Sequence, residues 1–165
     1  MTTGHKPRFG RRLLGIWAAL VVASQIVVSL RTDPLPREGA TLVSAAEQTA
    51  TGERTGEEIS IEVEQYGDPD AEIVILALHG APSGGGDFAR LAAALEERAG
   101  PDGVRVIAPV MPGYGASTAD VTDYGIEAQA RYAGAGLDHL AIERAHVFAH
   151  SLGGGTALVL AELAP

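Results

Sequence analysis

Cysteine is absent from the 165 residues, which excludes disulfides and thiolate metal sites and leaves redox compartment open. Aromatic residues are scarce at 5%, and the net charge is −9. Few rings to stack on bases and no basic surplus to meet phosphates argue against nucleic acid as a partner. Charged residues make up only 20% against 46% hydrophobic, a balance of globular rather than disordered chains, and the length suits one domain with a sizeable core. Acidic residues are missing altogether from residues 1–31, where Lys6, Arg8, Arg11, Arg12 and Arg31 give +5. Residues 32–165 hold seven arginines against all 21 acids, or −14. Segments so different in charge suit different environments.

What the first segment does have is an uncharged, mostly apolar run of 18 residues, Leu13–Leu30. As a helix it would rise about 27 Å, close to the roughly 30 Å of a bilayer's hydrocarbon core. Residues 1–12 form a basic amino-terminal stretch, Arg11 and Arg12 abut the run, and Arg31 closes it. The bias of cations toward the start predicts a single-pass anchor over 13–30 with a cytoplasmic amino terminus and an extracytoplasmic remainder. A secretory signal peptide cleaved near Ser24 is the rival reading, with secretion as its consequence. A buried helix of a soluble core is the third, set back by apolar character on every face.

Residues 31–58, with Pro34, Pro36 and few large apolar side chains, read as a flexible linker that cannot bury enough surface to order itself. Over 59–165, strand and helix patterns alternate. Ile59, Ile61, Val63 and Gln65 alternate with Ser60, Glu62 and Glu64, as in a half-exposed strand. Glu72–Leu78 reads as a β-branched run of a central strand buried on both faces, and Val104–Val110 as another buried strand. Phe88, Leu91, Ala92 and Leu95 share one helical face, with Asp87 as the expected N-cap and Gly100–Pro101 as the stop. Tyr124–Leu140 repeats apolar residues at helical spacing despite three glycines. Ala145–Ala149 reads as a short buried strand, and Gly154–Ala164 as the helix after it. Strands alternating with helices predict an α/β architecture: a mostly parallel sheet covered on both faces, with ligands bound beyond the carboxyl ends of the strands.

Three of those ends carry motifs. Ala149-His150-Ser151-Leu152-Gly153 falls between a strand and a helix. A nucleophile elbow needs small residues two before and two after its serine, because the turn presses strand and helix together. Ala149 and Gly153 meet that need, and the helix amino terminus beneath Ser151 favours developing negative charge. His79-Gly80-Ala81-Pro82 opens onto Ser83-Gly84-Gly85-Gly86, a bend able to aim backbone N–H groups into a cleft. The amides of Ala81 and Leu152 are then the candidate oxyanion donors. An ordinary connecting loop is the plain alternative. A phosphate-binding loop fits poorly, because no Gly-Lys-Ser/Thr follows and the loop holds no cation. The third end, Ala108–Ser117, is rich in glycine and proline and reads as architecture.

In order and spacing, the HGAP strand end, the VIAPVMPGYGAST segment and the VFAHSLGG elbow resemble the α/β-hydrolase superfamily, over residues 59–165 and roughly its amino-terminal half. The resemblance implies Ser151 as nucleophile, Ala81 and Leu152 as oxyanion donors through their amides, and an Ala81–Pro82 bond that is cis. It implies no cofactor or metal, and a small acyl compound as substrate. Ala149 replaces the commoner first glycine of the elbow, and Val110 stands where relatives usually carry Asp. The family's catalytic acid and histidine follow the nucleophile, and the chain's last residue is Pro165. Of the histidines, His150 is expected to point away from Ser151, His146 to lie satisfied in the core, His79 to hold its turn and His139 to be exposed. A serine without a base is a poor nucleophile, so these residues alone are expected to be close to inert. Two classes of function stand: a hydrolase of esters, amides or similar acyl substrates through an acyl-enzyme at Ser151, or a hydrolase-like binding domain or acyltransferase on the same elbow.

Overall fold

A computed structural model of the chain describes residues 8–29 and 35–164, in two compact units divided between Pro34 and Leu35. The first holds one helix, α1 (Arg8–Ser29), along which Leu14, Ile16, Trp17 and Leu20 are exposed. Among the described residues no helix is long and apolar enough to cross a membrane. Leu30, the end of the expected span, lies outside the described residues, as do residues 1–7 of the basic stretch.

The second unit is an α/β structure whose five strands are β1 (Thr41–Gln48), β2 (Arg54–Gly67), β3 (Ile73–Leu78), β4 (Val104–Val110) and β5 (His146–Ala149). Their spatial order is β1-β2-β4-β3-β5. The sheet is mixed rather than mostly parallel: β3 pairs in parallel with β4 and β5, whereas β1–β2 and β2–β4 are antiparallel. Parallel strands require crossovers, and here helices supply them. Helix α2 (Ala89–Ala99) connects β3 to β4, and α3 (Ile126–His139) carries the chain past β3 to β5. On one face Phe88 and Ala92 pack over Ala77, Val106 and Ala108. On the other, Ala130 and Ala133 of α3 and Leu160 of α4 (Leu152–Leu163) cover Leu76 and Leu78.

Residues 41–58 are not linker. They form β1 and the first part of β2, a hairpin whose Val43, Ala45 and Glu47 are buried. The alternation is present in the sequence, but small residues and a carboxylate carry it. Tyr132 of α3 clamps the hairpin, donating its hydroxyl to Gln48 O at 2.8 Å, and Asp123 accepts the Ala50 N–H at 2.8 Å.

Three local expectations also change. Strand β2 buries both faces, since Glu62 and Glu64 are as enclosed as Ile61 and Val63. Asp87 lies in a short 3-10 turn, Gly85–Phe88, so α2 begins one residue later than an Asp87 cap requires. Strand β5 is an edge strand of the described sheet and is largely exposed, with Val147 at 48% and Phe148 at 47%. The stop of α2 is as read: Gly100 takes φ 85 and its N–H returns to Glu96 O at 2.9 Å.

Candidate active site

The junction of β5 and α4 is a tight turn with a positive φ at a residue other than glycine. Ser151 has φ 54 and ψ −119, a region that side chains other than glycine occupy at a cost of about 1–3 kcal/mol. The turn closes through His150 N–H to Leu78 O at 3.1 Å and Gly153 N–H to His150 O at 3.0 Å. Glycine is required at 153, because a Cβ there would sit 2.3 Å from Leu78 O. Ala149, the small residue on the other side, packs against the Leu76–Leu78 cluster. The strained backbone leaves Ser151 exposed at the carboxyl end of β5, ahead of the first turn of α4.

The end of β3 meets it there. A Cβ on Gly80 would lie 2.8 Å from Ser151 Cβ, so the His79–Pro82 turn runs against the nucleophile candidate. The Ala81–Pro82 bond is cis. Ser83 N–H and Oγ both donate to Gly80 O, at 3.0 and 2.7 Å. Among the described residues neither the Ala81 nor the Leu152 amide donates a hydrogen bond within the chain. Both residues are exposed. Both amides thus remain free among the described residues, and an oxyanion would require two such donors aimed at one point.

His79 is buried and holds this turn. Met111 N–H donates to its Nε2 at 3.0 Å, so the proton of the neutral ring lies on Nδ1, which donates to Gly80 O at 2.8 Å. The Tyr114 ring meets it edge-on, with centroids 5.2 Å apart. The third strand end therefore does more than shape a turn: it fixes His79. His139 and His150 are exposed. His146, expected in the core, is exposed as well, because β5 is an outer strand. None of the imidazoles hydrogen-bonds to Ser151 among the described residues.

Sequence reasoning missed the buried carboxylates of β2. Glu62 accepts the Arg37 and Ala116 N–H groups at 2.7 and 2.8 Å. Glu64 accepts the Tyr66 hydroxyl and pairs with Arg37 Nε at 3.4 Å. Burial first, and then Glu64, push the Tyr66 hydroxyl above its ordinary value, which keeps it a donor. An alternating strand gives no sign that its acidic members face inward. A cleft of about 350 Å³ beside Pro82 and Tyr114 opens onto these acids. A smaller one of about 260 Å³, lined by Phe88, Leu91 and Phe148, adjoins His150. Another of about 350 Å³, between Leu137, Ile142 and Leu160, has no serine, threonine or histidine in its lining.

A sequence model of the alpha/beta hydrolase fold matches residues 73–165. The chain belongs to the α/β-hydrolase fold family. Solved α/β-hydrolase-like structures resemble it over most of its length. A probable hydrolytic enzyme from Pseudomonas aeruginosa is 24% identical over 79% of this chain and 39% of its own, with a TM-score of 0.64. An esterase from Thermogutta terrifontis is 27% identical over 74% and 41%, with a TM-score of 0.58. The N-acyl homoserine lactonase AidH is 26% identical over 78% and 42%, with a TM-score of 0.59. The chain spans about two fifths of the length of these structures. No curated protein sequence is significantly similar to it. Epoxide hydrolases are among the structural matches too, so this α/β-hydrolase fold does not by itself specify a substrate.

Proposed function

We propose that this chain contributes the nucleophile and oxyanion donors of a serine hydrolase acting on esters, amides or related acyl compounds. The strained Ser151 backbone, with Gly80 close against its Cβ and Gly153 close against Leu78 O, carries the reading. Strain of this kind persists only where surrounding structure enforces it, and it clusters at functional sites. Ser151 Oγ attacks the acyl carbonyl, and the carbonyl oxygen becomes an oxyanion taking N–H groups from Leu152 and Ala81. Collapse expels the alcohol or amine and leaves an ester on Ser151, which water then cleaves. The Ser151 proton must pass to a base, and the described residues place none in contact with it. The reading therefore requires a histidine and an acid from further chain. In the full-length protein, Ser151→Ala is expected to cut kcat on an activated ester by several orders of magnitude and to abolish labelling by a fluorophosphonate. Turnover equal to wild type would sink the assignment.

The 18-residue apolar run behind Arg11 and Arg12 supports a second element of the proposal, a single-pass tether with the hydrolase unit outside the cytoplasm. Protease added to intact cells should then digest the chain beyond residue 32. Complete protection would reverse the orientation. A mature amino terminus near Ser24 would replace the anchor by a cleaved signal.

A further inference from the structure

Glu62 is a carboxylate only 2% exposed, on a strand of the core. Burying a charge there is costly unless hydrogen bonds replace its water. Its partners are all backbone. Oε1 accepts Arg37 N–H at 2.7 Å and Oε2 accepts Ala116 N–H at 2.8 Å, while the Arg37 guanidinium turns to Glu64 instead. The Glu62 N–H donates to Ser117 Oγ at 2.8 Å, and that hydroxyl donates to Val110 O at 2.5 Å. Both Glu62 and its cross-strand partner Val110 press on the same glycine. A Cβ at Gly115, where φ is 51, would lie 2.4 Å from Glu62 Oε2 and 2.8 Å from Val110 Cγ1. The carboxylate thus pins the turn from Met111 to Ser117.

That turn is what holds His79. Met111 supplies the N–H to Nε2, Tyr114 supplies the ring against it, and Nδ1–H passes the constraint to Gly80 O. Gly80 in turn abuts Ser151. A loose Met111–Ser117 turn would free the His79 ring and let the neighbouring Ala81 amide drift from its aim. Displacements of an ångström at such donors are costly in rate and nearly neutral for the resting protein.

We propose that Glu62 is a positioning residue for the Gly80–Ala81 turn, acting through Ala116, Met111 and His79. The proposal rests on the reading of Ala81 as an oxyanion donor. It is specific to a carboxylate, because glutamine offers one acceptor oxygen where two N–H groups need two.

The test uses the full-length protein with Glu62→Gln, a chromogenic ester, and 15N-labelled histidine to follow the His79 ring nitrogens. Glu62→Gln is expected to lower kcat roughly tenfold to a hundredfold, to leave KM close to wild type, and to shift the His79 resonances away from the Nδ1–H form. Adding Val110→Asp, which returns a carboxylate from the opposite strand to the same glycine turn, should recover part of both. Glu57→Gln, at an exposed position of β2, should change neither. Unchanged His79 resonances in Glu62→Gln overturn the proposal, whether or not kcat falls. A kcat loss that merely tracks the folded fraction, without rescue by Val110→Asp, overturns it equally. If the wild-type protein fails to label at Ser151 the hydrolase reading falls, and the His79 resonances still decide the coupling to Glu62.

Discussion

Ser151 shows how surrounding structure can hold a single residue under backbone strain. Its φ of 54 and ψ of −119 suit glycine, and a Cβ held there costs about 1–3 kcal/mol. Relief by Ser151→Gly is partly offset, by about 0.4–1 kcal/mol, through glycine's extra freedom in the unfolded chain. The larger number wins, so Ser151→Gly is expected to stabilise the full-length protein in denaturant titration, whereas Ser151→Ala keeps the Cβ and should not. Equal stabilities for the two variants would mean that the turn is relaxed and that strain is no argument for function. The same scale explains why Gly153 was readable as an elbow neighbour and why a glycine also stands at position 80 of the facing turn. Each stands where a Cβ would collide with Ser151 or with Leu78 O, and that steric demand is what the small-residue pattern encodes.

The hairpin of β1 and β2 shows the elements at work, and also what the sequence hides. Its packing onto α3 and the loop before it depends on acceptors. Glu47 is held below its ordinary 4.5 by the Thr55 hydroxyl first and then by the Thr122 amide. Asp123 is held below its ordinary 3.8 by the Gly125 amide and then by that of Ala50. A carboxyl whose folded value is lowered adds stability above its unfolded value, and that stability disappears as pH falls through the folded value. Denaturant midpoints of the full-length protein should therefore be flat above about pH 5 and fall on acidification below about pH 4. In the double variant Glu47→Gln, Asp123→Asn the acid slope should be shallower. An unchanged slope would assign the acid sensitivity to other groups. The strands β3 and β4 were legible because long β-branched runs admit few alternatives. Helix α3 was legible too, its glycines notwithstanding, because Ala128, Ala130, Tyr132 and Ala133 keep the inward spacing. Strand β1 was not, since Ala45 and Glu47 carry its inward face beside Pro34, Pro36 and Gly39. Local composition there argues for a loop, and only the partner strand and Tyr132 reveal the burial. The tight β5–α4 junction and the His79–Pro82 turn were legible from small residues in order. The Glu62 brace was not, because it joins positions more than fifty residues apart.

At the scale of the second unit, the two edges of the sheet are treated differently. Strand β1 ends in a register shift between Ala46 and Gln48 and has polar neighbours, devices that discourage further pairing. Strand β5 pairs with β3 alone among the described strands and contains neither proline, lysine nor a bulge. Val147 and Phe148 lie about half exposed on it, and Leu158 and Leu163 of α4 are 72% and 44% exposed. Fully burying one such side chain contributes roughly 1.5–3 kcal/mol. Four of them half covered forgo an amount comparable with the lower end of a typical domain stability of about 5–15 kcal/mol. An open strand of this kind invites another strand, and exposed apolar side chains around it strengthen the attraction. The chain spans only about two fifths of the solved structures that match it, and further strands of such a fold are the natural cover. Residues 35–164 produced alone are therefore expected to self-associate in sedimentation at micromolar concentration, to unfold with low cooperativity, and to label slowly with a fluorophosphonate. Val147→Lys, which places a charge on the open strand, should shift that species toward monomer without restoring labelling. If residues 35–164 instead sediment as a monomer, melt cooperatively and label rapidly at Ser151, the β5 edge needs no cover and the site is complete without further chain.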